Sequence, residues 1–418
     1  MGKTICPVLY TREQRKLPKR NSITASICRE QIPASISPPH IPGGAFAVQQ
    51  ERLYFLDNLK WFIIYLMVIF HGAMCYMAYA PDWWYVVDTA QPVFSATVFI
   101  CWVDVFIMPV MFFISGYFGL MSLKRHGMGG FWRGKLSRII LPWVFGSMCL
   151  APFITYLILL TRHSPLGFAE FYTTLFWGPL YEQAHYWYLG ALTALYLLLC
   201  LGARLWPGLL KNTAPASPSP LLLFLAFLAS AGSIALLGSY MHPDTWTFYG
   251  YILVLQPVRI PTYIIIFALG VLACRQQWFT PEGYSPSPGK WCLPFLLASL
   301  FYLYQKLFLS GLGVSPGTLA LCNGLAQGAF TFAALFFLLG CFRRYAGGTS
   351  PILASLAKTS YGVYYIHQPI LFPVVWAFTA LSLNVYLKYS LACLISLALC
   401  YMLSRYLLLK LPCFGGRR

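Results

Sequence analysis

Lys60 and His71 are the pair of side chains in this sequence best placed to do chemistry. They lie in RLYFLDNLKWFIIYLMVIFHGAMCY (52–76), which opens with Asp57 and Lys60 and runs apolar to a single histidine. Eleven helical steps bring the two side chains to within about 20° of one face, roughly 16 Å apart along the axis. An imidazole of near-neutral basicity can take a proton from a hydroxyl nucleophile, and an ammonium can hold a phosphate-bearing donor or a developing oxyanion. An ionisable group inside an apolar helix is costly, so it usually marks a pathway or a reaction. Plainer readings stand beside this one: His71 as a core histidine bonded to a neighbouring helix, and Lys60 as a snorkelling helix-end lysine.

Other polar residues extend the pattern. Arg133, Lys135 and Arg138 cluster in the basic stretch 122–138, suited to charge-assisted bonds with phosphates or simply to fixing topology. Glu182 and His185 sit beside Trp187 in YEQAHYWYLGAL, and His367 closes TSYGVYYIHQPIL. The stretch 81–93 adds Asp82 and Asp88 with Trp83 and Trp84. Carboxylates beside aromatic faces suit a sugar, although tryptophans at these positions equally suit an interfacial belt. Cys75, four residues past His71, is a candidate acyl carrier activated by that imidazole, against the plainer reading of a packing cysteine.

The elements that must position these groups are membrane helices. The chain has 418 residues, 59% hydrophobic and 10% charged, with a mean hydropathy of +0.65. A soluble domain carries about 25% charged residues, so the expected class is an all-α integral membrane bundle. Apolar runs of spanning length fall at about 61–80, 94–121, 139–161, 186–206, 220–241, 256–274, 291–310, 319–342, 359–381 and 386–409. Under this division 25 of the 29 Lys and Arg residues lie on one side, with only Arg162, Arg259, Lys306 and Lys388 on the other. The positive-inside rule then predicts ten spans with both termini cytoplasmic, His71 near mid-membrane, and His185 and Glu182 at the outer face. Residues 1–50 read as a disordered basic cytoplasmic tail, 51–410 as the spanning domain and 411–418 as a C-terminal tail. The basic excess does not form a nucleic-acid surface, because it sits in short clusters between apolar runs. The 13 cysteines show no paired or metal-type spacing, so neither a disulfide framework nor a metal site is expected.

The same residues resemble the membrane-bound acyltransferase-3 family across about 52–410. Lys60 and His71 match its first-helix signature. Phe112, Phe113, Ser115, Gly116 and Tyr117 match FFxSG(Y/F). Lys135, Arg138 and Pro142 match a basic-x-x-basic motif leading into proline. His185, Trp187, Tyr188 and Leu189 match His-x-Trp-(Phe/Tyr)-Leu, and Ser360, Tyr361, Tyr364 and His367 match SYxxYxxH. YFLDNLK and FFISGYF are similar to the branch containing the periplasmic-glucan succinyltransferase.

The resemblance implies an inner-membrane, multi-pass O-acyltransferase moving acetyl or succinyl from cytoplasmic acyl-CoA to a hydroxyl of an extracytoplasmic glycan. Acyl-CoA would be a co-substrate, with no bound cofactor. On that reading His71 is the base, Lys60 holds the donor or an oxyanion, and Lys135, Arg138, Arg133 and Ser115 belong to the donor site. His185, Glu182 and Trp187 would orient the acceptor, and His367 would complete the centre. The competing function is a transporter or flippase in which the same polar ladder conducts protons or a lipid-linked sugar.

Overall fold

The computed structural model describes residues 52–78, 88, 91–162 and 166–415. The expected 1–50 tail and the candidates Asp82, Trp83 and Trp84 lie outside the described residues. Each of the ten apolar runs becomes a helical stretch. They are α1 (Tyr54–Met74), α2 (Phe94–Lys135), α3 (136–161), α4 (Trp187–Leu205), α5 (Pro220–Gly238), α6 (Ile260–Arg275), α7 (Pro288–Leu307), α8 (Pro316–Tyr345), α9 (Pro351–Thr379) and α10 (Val385–Tyr406). By length and apolarity six helical stretches suffice to cross a membrane, one of them the continuous 94–161. The protein is therefore a multi-pass membrane protein of helical class.

Three features depart from the expectation. The basic stretch 122–138 is helical rather than a loop, interrupted only at Gly127, whose φ of 62° is open to glycine without strain. Here α2 runs on into α3, which contains two π-turns, Leu136–Ile140 and Gly146–Leu150. Second, α1 starts and ends earlier than the apolar run, so His71 falls in its last turn instead of mid-helix. Third, an antiparallel hairpin, β1 (Thr247–Tyr249) and β2 (Leu253–Leu255), joins α5 to α6 with Phe248 opposite Val254.

Backbone approach between helices depends on residues without side chains. A Cβ at Gly116 would come within 2.2 Å of the Phe267 carbonyl oxygen, and one at Gly270 within 2.1 Å of that of Phe113. The glycine of FFISGYF is thus a packing residue that lets α2 and α6 touch.

Prolines shape the interior differently. A helical proline removes the N–H that would bond the carbonyl four residues back. Pro109, Pro142 and Pro369 lie four residues beyond Val105, Arg138 and Tyr365. Thr331 donates to the Val105 oxygen, Tyr361 to that of Arg138, and both His185 and Tyr186 to that of Tyr365. Side chains from other elements replace the missing helix bonds, as an apolar solvent requires.

Candidate active site

Three histidines from three parts of the chain meet in the interior. His71 ends α1, His367 lies roughly 24 Å along α9, and His185 sits in the 3₁₀ turn Ala184–Tyr186 that leads into α4. Their exposures are 8%, 0% and 4%. Ring centroids are 4.9 Å apart for His71 and His367, and 4.4 Å for His185 and His367. The turn is backed by Ala184 at φ 44°, a left-handed conformation unusual for alanine.

The hydrogen bonds fix the protons. His367 Nδ1 lies 2.6 Å from the Tyr364 carbonyl oxygen and therefore donates to it, which leaves Nε2 as the acceptor of a neutral ring. That Nε2 lies 3.2 Å from His71 Nδ1, which also faces the Met67 oxygen at 2.8 Å. Nδ1 of His71 must then carry the hydrogen, and its basic lone pair is on Nε2. His185 Nε2 donates to the Tyr365 oxygen at 3.2 Å, so its lone pair is on Nδ1. The three imidazoles are thereby held in defined tautomers by backbone carbonyls and by one another.

His71 and His185 line a cavity of about 460 Å³. Its wall includes Thr97 near the start of α2, Leu307 at the end of α7, and Asp244 and Trp246 before the hairpin, so it opens at the bundle end where α1 stops and α2 starts. Arg259, 8% exposed, bridges Asp104 and Asp244; its bond to Asp244 is 2.9 Å, and Lys306 stands 3.8 Å from the same carboxylate. Burial works against the charge on Asp244, but Arg259 and Lys306 outweigh it and hold the carboxyl below its ordinary range. Trp187 stacks on Tyr263 at 6.1 Å and meets Trp246 edge-on at 5.4 Å.

The opposite end of α1 carries the basic residues. Lys60, Lys135 and Arg138 lie within electrostatic range of one another. The Lys135 ammonium also sits over the rings of Tyr196 (4.3 Å) and Phe131 (4.9 Å), while Arg133 and Arg138 are exposed. Ser115 is not with them: it lies twelve residues before the Gly127 break, its hydroxyl 2.8 Å from that of Tyr188.

Several expectations need correction. Glu182 and His185, expected side by side, send their side chains to different places. His185 turns into the histidine cluster, whereas Glu182 accepts from Thr155 at 3.0 Å and lines a second cavity. Asp88 does not present a carboxylate to solvent, because it is buried against Lys388 at 2.9 Å. The Cys75 thiol donates to the His71 carbonyl oxygen, 3.5 Å away, and not to the imidazole. Asp104, Asp244, Arg259, Lys306 and Trp246 also line the cavity, where the sequence pattern did not place them. Asp104 and Arg259 each interrupt an apolar run, and two such charges of opposite sign are a signal for pairing.

The family model described as acyltransferase domain, the acyltransferase-3 family, matches residues 53–405. The chain belongs to the acyltransferase-3 family. It is similar to the glucans biosynthesis proteins C of Salmonella heidelberg (strain SL476), Salmonella typhi and Salmonella typhimurium, each 28% identical over 279 residues. Those matches cover 63% of this chain and 69% of each relative. No solved structure matches. The protein is accordingly a membrane acyltransferase, and the signature residues Lys60, His71, His185, Tyr364 and His367 acquire a common setting: all but Lys60 meet at the cavity or its floor.

Two expectations follow. Pro369→Ala restores an N–H that competes with His185 for the Tyr365 oxygen, so the helix gains a bond while His185 loses its anchor. Turnover should fall about tenfold with unchanged or raised thermal stability, measured on purified protein in detergent; such a loss equals about 1.4 kcal/mol of barrier. For Glu182, burial pushes the carboxyl up to about 6, with the Thr155 hydroxyl pulling the other way. An acid raised in the folded state is penalised when charged, and that penalty is absent below its ordinary value near 4.5 and complete above about 6. Glu182→Gln should therefore raise the melting temperature at pH 7.5 and lose that advantage by pH 4.5.

Proposed function

We propose that the protein transfers an acyl group, acetyl or succinyl, from acyl-CoA at the basic end of the bundle to a glycan hydroxyl in the His71 cavity. The reading includes ten crossings with both chain ends on the basic, cytoplasmic side of the cell membrane. One observation carries it: an imidazole whose Nε2 is fixed as the basic nitrogen stands on the wall of a cavity lined by Asp104, Asp244 and aromatic rings, with Lys60 of the cationic cluster roughly 16 Å along the same helix.

In the proposed step His71 Nε2 takes the proton of the acceptor hydroxyl as its oxygen attacks the thioester carbonyl. The carbon–sulfur bond breaks, the proton passes to the thiolate, and CoA leaves as the thiol. His367 holds His71 in the productive tautomer through Nε2 and the Nδ1–H. Asp104, Asp244 and Trp246 suit the hydroxyl edges and apolar faces of a sugar. Lys135, Arg138 and exposed Arg133 suit the phosphates of CoA. Lys60 fits donor binding better than oxyanion stabilisation, since roughly 16 Å of helix separates it from any carbonyl beside His71.

The glucan-named relatives favour a glucan-like acceptor. Mass analysis of surface glycans from cells with and without the protein tests the proposal. A mass difference of acetyl or succinyl, together with CoA release by purified protein, is expected. Sugar accumulation in vesicles lacking acyl-CoA, without CoA release, would favour a transporter instead.

A further inference from the structure

Beside the His71 cavity lies a second one of about 680 Å³, and the two share a wall made by Trp187, Asp244 and Trp246. Thr155, Arg162, Glu182, His242 and Phe248 are among the other residues that line the second. Both volumes fall in the range of small-ligand sites. Transfer needs only one hydroxyl beside His71, so the acceptor sugar does not account for this second space.

The chemistry of the joined cleft selects its occupant. Its lining acids are Asp104, Asp244 and Glu182, and its lining bases are Arg259, Lys306 and Arg162. Among the described residues the two signs balance, so the lining carries no net charge to recruit an anion such as a lipid-linked phosphate. What remains is a row of paired, partly exposed hydrogen-bonding groups between indole faces. The Nε of Arg259, on the His71 side of the cleft where its guanidinium holds Asp244 of the shared wall, has no hydrogen-bond partner among the described residues. A neutral polyhydroxylated chain supplies both hydroxyl donors for Asp104, Asp244 and Glu182 and acceptor oxygens for arginine.

We infer that the second cavity is a subsite for the sugar units adjoining the acylated one, so the acceptor is an oligomeric glycan threaded past the Trp187–Trp246 wall. This rests on the acceptor reading above. Loop anchoring supports it: Gln183 donates to the Tyr251 and Ile252 carbonyl oxygens (3.2 and 3.0 Å) and accepts from Trp143 at 3.1 Å. These bonds tie the loop bearing Glu182 to the hairpin bearing Phe248, fixing the cavity's two sides before a ligand arrives.

The experiment measures CoA release by purified full-length protein with acyl-CoA and linear gluco-oligosaccharides of one to four units, α- and β-linked. In the wild type kcat/KM should rise at least tenfold from one unit to the preferred longer acceptor. Thr245→Trp, at an exposed rim position, should fill the second cavity and flatten that dependence while leaving single-unit transfer within about twofold. Phe248→Ala, also at an exposed position, guards against a folding artefact and should lower the dependence without altering single-unit transfer. A flat profile in the wild type, or an undiminished slope in Thr245→Trp, overturns the subsite. Failure to acylate any sugar, with CoA released to a different hydroxyl acceptor, overturns the glycan reading itself and the subsite with it.

Discussion

His71→Ala should reduce CoA release and acyl transfer by 10²- to 10⁴-fold, the usual range for a lost general base, while the protein inserts at normal levels. The arrangement makes a sharper series possible. His367 contributes an acceptor to the His71 Nδ1–H and no group on the reacting side of that ring. His367→Ala should therefore cost less, roughly tenfold to a hundredfold, because the Met67 oxygen still faces the same Nδ1. His367→Asn, which can present an oxygen, should recover part of the loss. The effect should lie in kcat with little change in KM for acyl-CoA, since neither ring lies at the basic end. Near-wild-type transfer by His71→Ala in properly inserted protein would remove the residue from the mechanism. Equal losses in His367→Ala and His367→Asn would argue that His367 fills space rather than positions a proton.

How far these roles were readable from the sequence depends on the range of the interaction. The alignment of Lys60 with His71 is local: helical periodicity alone sets it, and α1 is an unbroken helix from Tyr54 to Met74. The meeting of His71 with His367 spans 296 residues, and no periodicity reports a contact at that separation. A span boundary suggests how deep His185 lies but not which residues its ring meets. Its actual position follows from Pro369, which frees the Tyr365 carbonyl as a docking point for the imidazole. A proline two residues past a histidine was visible, but the partner it recruits was not. The Arg259 bridge is a different case. Arg259 was counted as an exception to the charge rule, although an arginine and an aspartate inside separate apolar runs can avoid a large solvation cost by finding one another. The helical class followed from composition, while the Gly127 break and the hairpin followed from neither hydropathy nor charge.

Lys388→Met should destabilise the protein by about 3–5 kcal/mol, the cost of leaving a buried carboxylate without its counter-ion. Lys388 and Asp88 are 2.9 Å apart with side-chain exposures of 2% and 3%, so water cannot take over for the missing partner. An exposed pair would contribute less than about 1 kcal/mol, and that gap makes the measurement decisive. Asp88→Asn should also destabilise, because the ammonium then loses the carboxylate and keeps, among the described residues, neutral acceptors such as the Thr379 carbonyl oxygen at 3.4 Å. The double variant Asp88→Leu/Lys388→Met should regain most of the loss, as well-packed apolar substitutes often match a buried ion pair. The pair also has a functional consequence. The backbone N–H of Asp88 donates to the Cys75 oxygen at 2.8 Å, and the Val93 N–H to that of Tyr76 at 2.8 Å, so Asp88 and Val93 are tied to the two residues that follow the helix carrying His71. Transfer should fall in each single variant and return in the double, with unfolding followed by denaturant titration in micelles. If Lys388→Met unfolds like the wild type, the ion pair is not what holds Asp88 against the end of α1.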